Sequence, residues 1–115
     1  MTDWAAGPAL DAEICRKIMG WVPVQVRGLP TGDQVWWYSK RRGEGVCGPP
    51  PYSTDLATAM RILDVWDGDC LLRRQNGHWH VELCQPSQQW DAWAETLPVA
   101  ICLARLRAVV VEVPA

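Results

Sequence analysis

The chain contains no phenylalanine and only two histidines, although it has eight tryptophans in 115 residues. Its five cysteines include no CxxC pair, and their odd number favours buried thiols in a reducing compartment over a disulfide framework. It also lacks an apolar run of about 18 residues and a secretory signal pattern. We therefore expect a cytoplasmic protein that does not engage a membrane.

Positive charge is not in excess, since 11 lysines and arginines stand against 13 acidic residues and the formal net charge is −2 at pH 7. A chain without a basic field is not expected to collect DNA by electrostatics. Phosphate-loop and dinucleotide fingerprints are absent, and Gly43-Glu44-Gly45 alone is too short to indicate one. The length fits a single domain, residues 1–115, with one core.

The clearest helix start follows three consecutive prolines, Pro49 to Pro51, which hold the chain extended. Ser53 is the predicted N-cap, and Asp55 would then place negative charge in the first turn. Apolar residues recur at helical spacing after it and predict a helix over residues 54–66; they are Leu56, Ala59, Met60, Leu63 and Trp66.

This helix start has two interpretations. Helix N-termini bind polar ligands, which would make Tyr52, Ser53, Thr54 and Asp55 part of a binding site. A plain cap explains the same residues without a ligand. Because the Asp55 carboxylate would repel phosphate, a ligand here is expected to present a hydroxyl, an amine or a base edge.

Two further helices are predicted, one from Leu10 to Gly20 and one from Leu97 to Ala108. The second has only two polar residues after its cap region, so it should be the most buried of the three. The pattern leaves open whether Val109 to Val113 continues this helix or forms a strand. Residues 1–9 are expected to be frayed.

Two hairpins are predicted. Asn76-Gly77 is a strong type I′ turn signal and should pair residues 69–75 with 78–85. A weaker pattern allows residues 22–27 to pair with 34–39. Residues 86–95 are expected to be a loop.

The stretch 40–48 is rich in glycine and locally basic, and it is expected to be a mobile loop. Arg41 and Arg42 follow an aromatic run closely in the chain. That run is Trp36, Trp37 and Tyr38. Aromatic rings can stack on a base while arginines bind phosphate, so these residues and Arg73 are candidate nucleotide ligands. A solvated hairpin end with ordinary surface charge explains the same pattern.

Metal binding and catalysis are not supported by the spacing. His78 and His80 could share an ion, but their cross-strand neighbours offer no good third ligand. Cys84 lies about 13 Å along the strand from His80, outside hydrogen-bond reach. We therefore assign no catalytic residue, no metal site and no cofactor.

Four segments in this order resemble the phage ABA sandwich domain family, which comprises small proteins of bacteriophages and prophages. They are residues 14–21 (ICRKIMGW), 50–59 (PPYSTDLATA), 79–83 (WHVEL) and 97–104 (LPVAICLA). The resemblance implies an α+β fold, a small α-β-α sandwich with three helices packed on a mostly antiparallel sheet. It also implies action in the host bacterial cytoplasm. It supplies no catalytic residues.

Together these features lead to the hypothesis of a non-catalytic phage protein that sequesters a nucleotide messenger of bacterial anti-phage defence. The expected ligand is a cyclic dinucleotide or a cyclic ADP-ribose-type nucleotide, bound by a homo-oligomer. One alternative is a protein-binding module that inhibits a host enzyme through its tryptophans. Another is a phage regulatory or assembly protein without a small ligand.

Overall fold

A computed structural model describes residues 5–28, 30, 32, 34–39 and 43–112. The helices are α1 (Pro8–Lys17), α2 (Leu56–Asp64) and α3 (Leu97–Glu112). The strands are β1 (Val22–Val26), β2 (Gln34–Ser39), β3 (Glu44–Cys47), β4 (Asp69–Gln75), β5 (His78–Gln85) and β6 (Gln88–Ala94). Within the described residues, no helix has the length and apolar character needed to cross a membrane.

The α+β class with three helices and antiparallel strands is confirmed. The strands are divided between two sheets, which the sequence did not indicate. The first sheet has the order β1-β2-β3 and the second has the order β4-β5-β6. Every pairing is between sequence neighbours and antiparallel, so both sheets are simple meanders.

The hairpin at Asn76-Gly77 is confirmed with its predicted register, from Gln75 opposite His78 to Asp69 opposite Cys84. Asn76 and Gly77 have φ of 54° and 77°. Both lie in the left-handed region that a type I′ turn requires. This region strongly favours glycine and tolerates asparagine, which is why the dipeptide predicts the turn.

The prediction of a loop over residues 86–95 is wrong, because β6 occupies most of it. The β5–β6 connection is a two-residue turn at Pro86-Ser87, closed by Gln85 opposite Gln88. Neither turn residue has a positive φ. The turn therefore lacks the glycine or asparagine that marks a primed hairpin turn in a sequence.

The loop expected over residues 40–48 is also partly wrong. Glu44–Cys47 forms β3 and pairs with β2, Trp37 lying opposite Val46. A Cβ on Gly45 would lie within 4 Å of the Trp36 and Tyr38 rings, at ordinary van der Waals distance, so the pairing does not require glycine there. Residues 40–42 lie outside the described part of the chain.

The helix bounds differ from the prediction at several ends. α1 begins at Pro8, so Pro8 and Ala9 are not frayed, and it ends at Lys17 instead of Gly20. α2 begins at Leu56 with Asp55 as its N-cap. α3 continues to Glu112, so the open segment is helical over residues 109–112.

The helices and both sheets share one core. α3 packs on β5 and β6, while α1 and α2 both pack against α3. Ile14, Ile62, Leu83 and Ile101 are completely buried where these elements meet. The predicted stripe of α2 is rotated, because Leu56 and Met60 are exposed and Ile62 takes the core position.

Candidate functional site

The aromatic run of β2 is divided between the two faces of the first sheet. Trp37 faces the core and is 6% exposed, whereas Trp36 and Tyr38 are 37% and 43% exposed. Neighbouring residues of a strand point to opposite faces, so only two of the three predicted stacking residues can meet a ligand together.

Trp36 and Tyr38 belong to an apolar surface that we call the outer face of the first sheet. It also includes Val24, which lies opposite Trp36, and Val22, which lies opposite Tyr38. The two valines are 48% and 43% exposed. Exposed apolar side chains grouped in this way are typical of a binding surface.

The predicted phosphate ligands are not brought together with this surface by the described residues. Arg41 and Arg42 lie outside the described part of the chain. Arg73 lies in β4, in the other sheet, where its Nη2 donates to Glu82 Oε1 at 2.9 Å. The same nitrogen lies 3.1 Å from His80 Nδ1.

Tyr52 and Ser53 are buried, with exposures of 2% and 1%. The Ser53 N–H donates to Asp11 Oδ1 at 2.7 Å, and Ser53 Oγ accepts from the Gly7 N–H at 2.8 Å. These bonds tie the segment before α2 to the first turn of α1. Ser53 is therefore neither the N-cap of α2 nor an exposed ligand contact in this arrangement.

Asp55 is the N-cap of α2, and Thr54 beside it is exposed. Asp55 Oδ2 accepts from the Thr58 N–H at 2.9 Å and from Thr58 Oγ1 at 2.6 Å. These bonds from the Thr58 hydroxyl and amide lower the pKa of the Asp55 carboxyl. Of the two interpretations of this helix start, the cap is the one that these contacts support.

A cleft of about 610 Å³ lies between the end of α1, β2 and α2. Its volume is in the range of small-molecule sites. The apolar wall comprises Ile18, Met19, Trp21 and Val65. The polar side comprises Ser39, Tyr52, Arg61 and Asp64.

Of the predicted site residues, Tyr52 lines this cleft. Ser39 also lines it, at the point where the chain continues into residues 40–42. Sequence reasoning missed Arg61 and Asp64, three residues apart on α2. They lie off the apolar stripe of this helix, and that position is the signal that could have identified them.

The second sheet has a polar cluster on the face away from α3. Arg73, His80 and Trp93 are directly opposite one another across its three strands. The His80 ring is only 4% exposed and stacks on Trp93, with centroids 4.2 Å apart. Sequence reasoning named His80 and Arg73 separately but missed Trp93, because β6 was not predicted.

Hydrogen bonds fix the His80 tautomer. Arginine can only donate, so Nδ1 accepts from Arg73 and Nε2–H donates to Asp91 Oδ2 at 2.9 Å. Both ring nitrogens are thus engaged, which leaves neither available as a base or as a metal ligand. Within the described residues, no group of three or more His, Cys, Asp or Glu side chains could hold a metal ion.

The cysteines of the helices are buried. Desolvation, with a smaller effect of the Asp11 carboxylate, raises the pKa of Cys15 and of Cys102 to about 12. Cys70 is exposed, and no disulfide joins the described cysteines. Thiols with such high pKa values are poor nucleophiles at neutral pH.

Comparisons with known proteins agree with this architecture. A phage protein from Bacillus cereus ATCC 14579, known from a 2.0 Å crystal structure, superposes with a TM-score of 0.72. The two chains are 20% identical, and the match covers 99% of this chain and 97% of the other. No protein of curated function matches the chain. The family model of the phage ABA sandwich domain matches residues 12–106, and the chain therefore belongs to the phage ABA sandwich domain family.

Proposed function

We propose that this phage-family protein binds a nucleotide in the cleft between α1, β2 and α2 and holds it without turning it over. The observation that carries the proposal is the cleft itself, which combines a tryptophan, a tyrosine and an arginine with an apolar wall. An indole or phenol beside an arginine is suited to a ligand that has both a flat base and a phosphate.

The described part of the cleft supports the separate roles. Arg61 is exposed on α2 and can donate two parallel hydrogen bonds to a phosphate. Asp64, one turn further, can accept from a ribose hydroxyl or a base amine. Ile18 and Met19, which are half-buried, offer an apolar surface for the base.

Binding without turnover fits the chemistry of the site. None of the described residues that line the cleft is a cysteine or a histidine, and the two buried cysteines have raised pKa values. The proposed role is to sequester a nucleotide messenger of a host defence system, of the cyclic dinucleotide or cyclic ADP-ribose class. Retention of intact ligand is enough for that role.

Thermal unfolding against cyclic di- and trinucleotides and cyclic ADP-ribose isomers tests the proposal. A ligand at a hundred times its Kd adds about 2.7 kcal/mol to the free energy of unfolding. For a domain of this size the midpoint should rise by roughly 10 °C. Chromatography of the released nucleotide should recover it unchanged.

Arg61→Glu should remove this shift, because it replaces the phosphate donor with a like charge. Arg27→Glu is the matched control, since Arg27 is exposed and bonds to Gln25, away from the cleft. If none of these nucleotides raises the unfolding midpoint of the unaltered protein, the proposal is contradicted for these messengers. A shift that survives Arg61→Glu places the nucleotide elsewhere.

The outer face of the first sheet favours a second candidate function, a protein-binding module that inhibits a host enzyme. Its four apolar side chains are each more than a third exposed. The double variant Trp36→Ser/Tyr38→Ser should then lose a host protein that the unaltered chain retains from a bacterial lysate. Leu56→Ser/Met60→Ser is the control, because these side chains are equally exposed on α2. Equal retention by both variants contradicts this function.

A further inference from the structure

The two edges of the second sheet differ in how they are covered. At the β6 edge, Arg107 of α3 donates from Nη1 to the Asp91 carbonyl at 2.6 Å. At the other edge, β4 has β5 as its only substantial neighbour among the described elements. All seven β4 residues are exposed except Leu72, which is half-buried. β4 is thus an open edge strand.

Hairpin geometry determines which backbone groups this edge presents. Gln75 and His78 close a two-residue turn, so they form a hydrogen-bonded pair. The pairs alternate from there, and residues 75, 73, 71 and 69 direct their backbone groups toward β5. Cys70, Leu72 and Arg74 therefore direct their N–H and C=O groups outward. An unpaired row of this kind is a template for another strand.

We propose that a second copy of this chain pairs with the first through β4, antiparallel, with Leu71 on the two-fold axis. In this register Cys70 lies opposite the partner's Leu72, and both present outward backbone groups. Their N–H and C=O groups can therefore form the ladder across the axis. The two second sheets then become one continuous six-stranded sheet.

The side chains of β4 are self-complementary in this register. Asp69 and Arg73 lie two residues on either side of Leu71 and on the same face. The two-fold axis brings Asp69 of each copy opposite the partner's Arg73, so two ion pairs flank a contact between the two Leu71 side chains. Leu71 is 46% exposed in the single chain and would be covered by its counterpart.

The neighbouring registers are less favourable. Directly opposite residues of paired strands point to the same face of the sheet. The two-fold axis of a symmetric antiparallel pairing must therefore pass through a residue position and not between two residues. Centring on Leu72 places Leu71 opposite the partner's Arg73. Centring on Arg73 places two guanidinium groups opposite each other, which is repulsive. Charge complementarity thus selects Leu71.

Charged residues also occur on edge strands that remain unpaired, where they deter association. Such charges deter association when pairing would bury them without a partner or place them opposite like charges. Here Asp69 and Arg73 attract in the register that also matches the backbone groups and the leucines. The arrangement therefore favours pairing, and it is independent of whether the cleft binds a nucleotide.

Charge reversal gives a decisive test. Asp69→Arg alone places two like-charged arginine pairs across the axis, and Arg73→Asp alone places two like-charged aspartate pairs there. Each variant should be monomeric at concentrations where the unaltered protein is a dimer, with Kd raised at least about tenfold. Mixing the two variants restores both ion pairs, because each copy then faces an opposite charge at both positions.

Native mass spectrometry of the mixture should show the heterodimer, with either homodimer depleted. Asp69→Arg leaves the bonds of Arg73 to His80 and Glu82 in place, and circular dichroism checks that both variants are folded. Should Arg73→Asp fail to fold, Arg73→Gln replaces it and the expected heterodimer is still favoured over the Asp69→Arg homodimer. A monomeric unaltered protein, or a mixture without heterodimer, overturns the proposal.

Disulfide trapping tests the register separately, in a Cys70→Ser background. Leu71→Cys should cross-link with its counterpart, because directly opposite residues of a non-hydrogen-bonded pair have Cα atoms about 4.5 Å apart. Leu72→Cys and Arg73→Cys are the matched controls and should cross-link at least about tenfold more slowly. Faster linkage at either control position overturns the register centred on Leu71.

Discussion

Removal of the Asp11 carboxylate should destabilise the fold more than removal of the Ser53 hydroxyl, although the two groups belong to one network. Asp11 is 5% exposed and accepts the buried Ser53 N–H at 2.7 Å. Asp11→Ala leaves that N–H without an acceptor, and hydrogen bonds to charged groups contribute about 1.5–3 kcal/mol. Ser53→Ala removes the acceptor of the partly buried Gly7 N–H and a longer bond, of 3.4 Å, from the Ser53 hydroxyl to the Gly7 carbonyl, at a cost of about 1 kcal/mol.

The double variant gives a sharper expectation. Asp11 and Ser53 belong to one hydrogen-bond network, so the two losses should couple, and the double variant should lose at least about 0.5 kcal/mol less than their sum. Urea denaturation followed by circular dichroism measures each free energy of unfolding. In thermal unfolding, Asp11→Ala should lower Tm by roughly 6–12 °C and Ser53→Ala by roughly 4 °C. Asp11→Asn retains an acceptor oxygen and should fall between the unaltered protein and Asp11→Ala.

A larger loss for Ser53→Ala than for Asp11→Ala would refute this reasoning, because it would mean that the hydroxyl is the principal contact between α1 and the segment before α2. Strict additivity of the two losses would refute it as well. The control is Thr54→Ala, at the exposed neighbour of Ser53. It should change the free energy of unfolding by less than about 0.5 kcal/mol.

Three further predictions concern other parts of the molecule. Trp37→Ala should lower the free energy of unfolding, measured by urea denaturation, by about 3–5 kcal/mol. Trp36→Ala should lower it far less, because only Trp37 faces the core. Similar losses would contradict the division of β2 between two faces. Asp55→Asn should lower Tm at pH 7. Because the pKa of Asp55 is lowered in the folded protein, the difference in Tm should shrink as pH falls below 3.8, the ordinary pKa of an aspartate. A difference that grows toward low pH would contradict the assignment of Asp55 as the N-cap. Iodoacetamide at pH 8 should label the exposed Cys70 in the folded protein and should not label Cys15 and Cys102, whose pKa values are about 12. Peptide mass mapping identifies the labelled residues. Rapid labelling of either helix cysteine would show that its helix is not packed as described.

Local signals in the sequence were sufficient for the elements that depend on local chemistry. Asn76-Gly77 predicted a turn and, through it, the register of β4 and β5, because the dipeptide tolerates a backbone conformation that most residues avoid. The long apolar run after Leu97 likewise predicted α3. Only the β4–β5 pairing of the second sheet could be predicted. The turn at Pro86-Ser87 that leads to β6 has no Asn-Gly or similar turn dipeptide.

The site could be predicted only in part because its residues meet through tertiary packing. The alternation of β2 required one of Trp36 and Trp37 to face the core, but it did not say which. Serine is a residue type typical of helix N-caps. Ser53 instead donates its backbone N–H to Asp11, forty-two residues away in the chain. The cleft needs the end of α1, β2 and α2 together, and no local pattern indicates that meeting.

The central position of α3 has a consequence for how the protein is made. α1 and α2 both pack against α3, which is the last helix in the chain, and β5 and β6 pack on it too. During translation, the apolar faces of the earlier elements therefore emerge before the helix that covers them. The buried sides of α1, α2 and the second sheet must remain exposed, or be held by a chaperone, until α3 leaves the ribosome. Folding is then expected to be concerted, with α3 as the element whose arrival allows the rest to assemble.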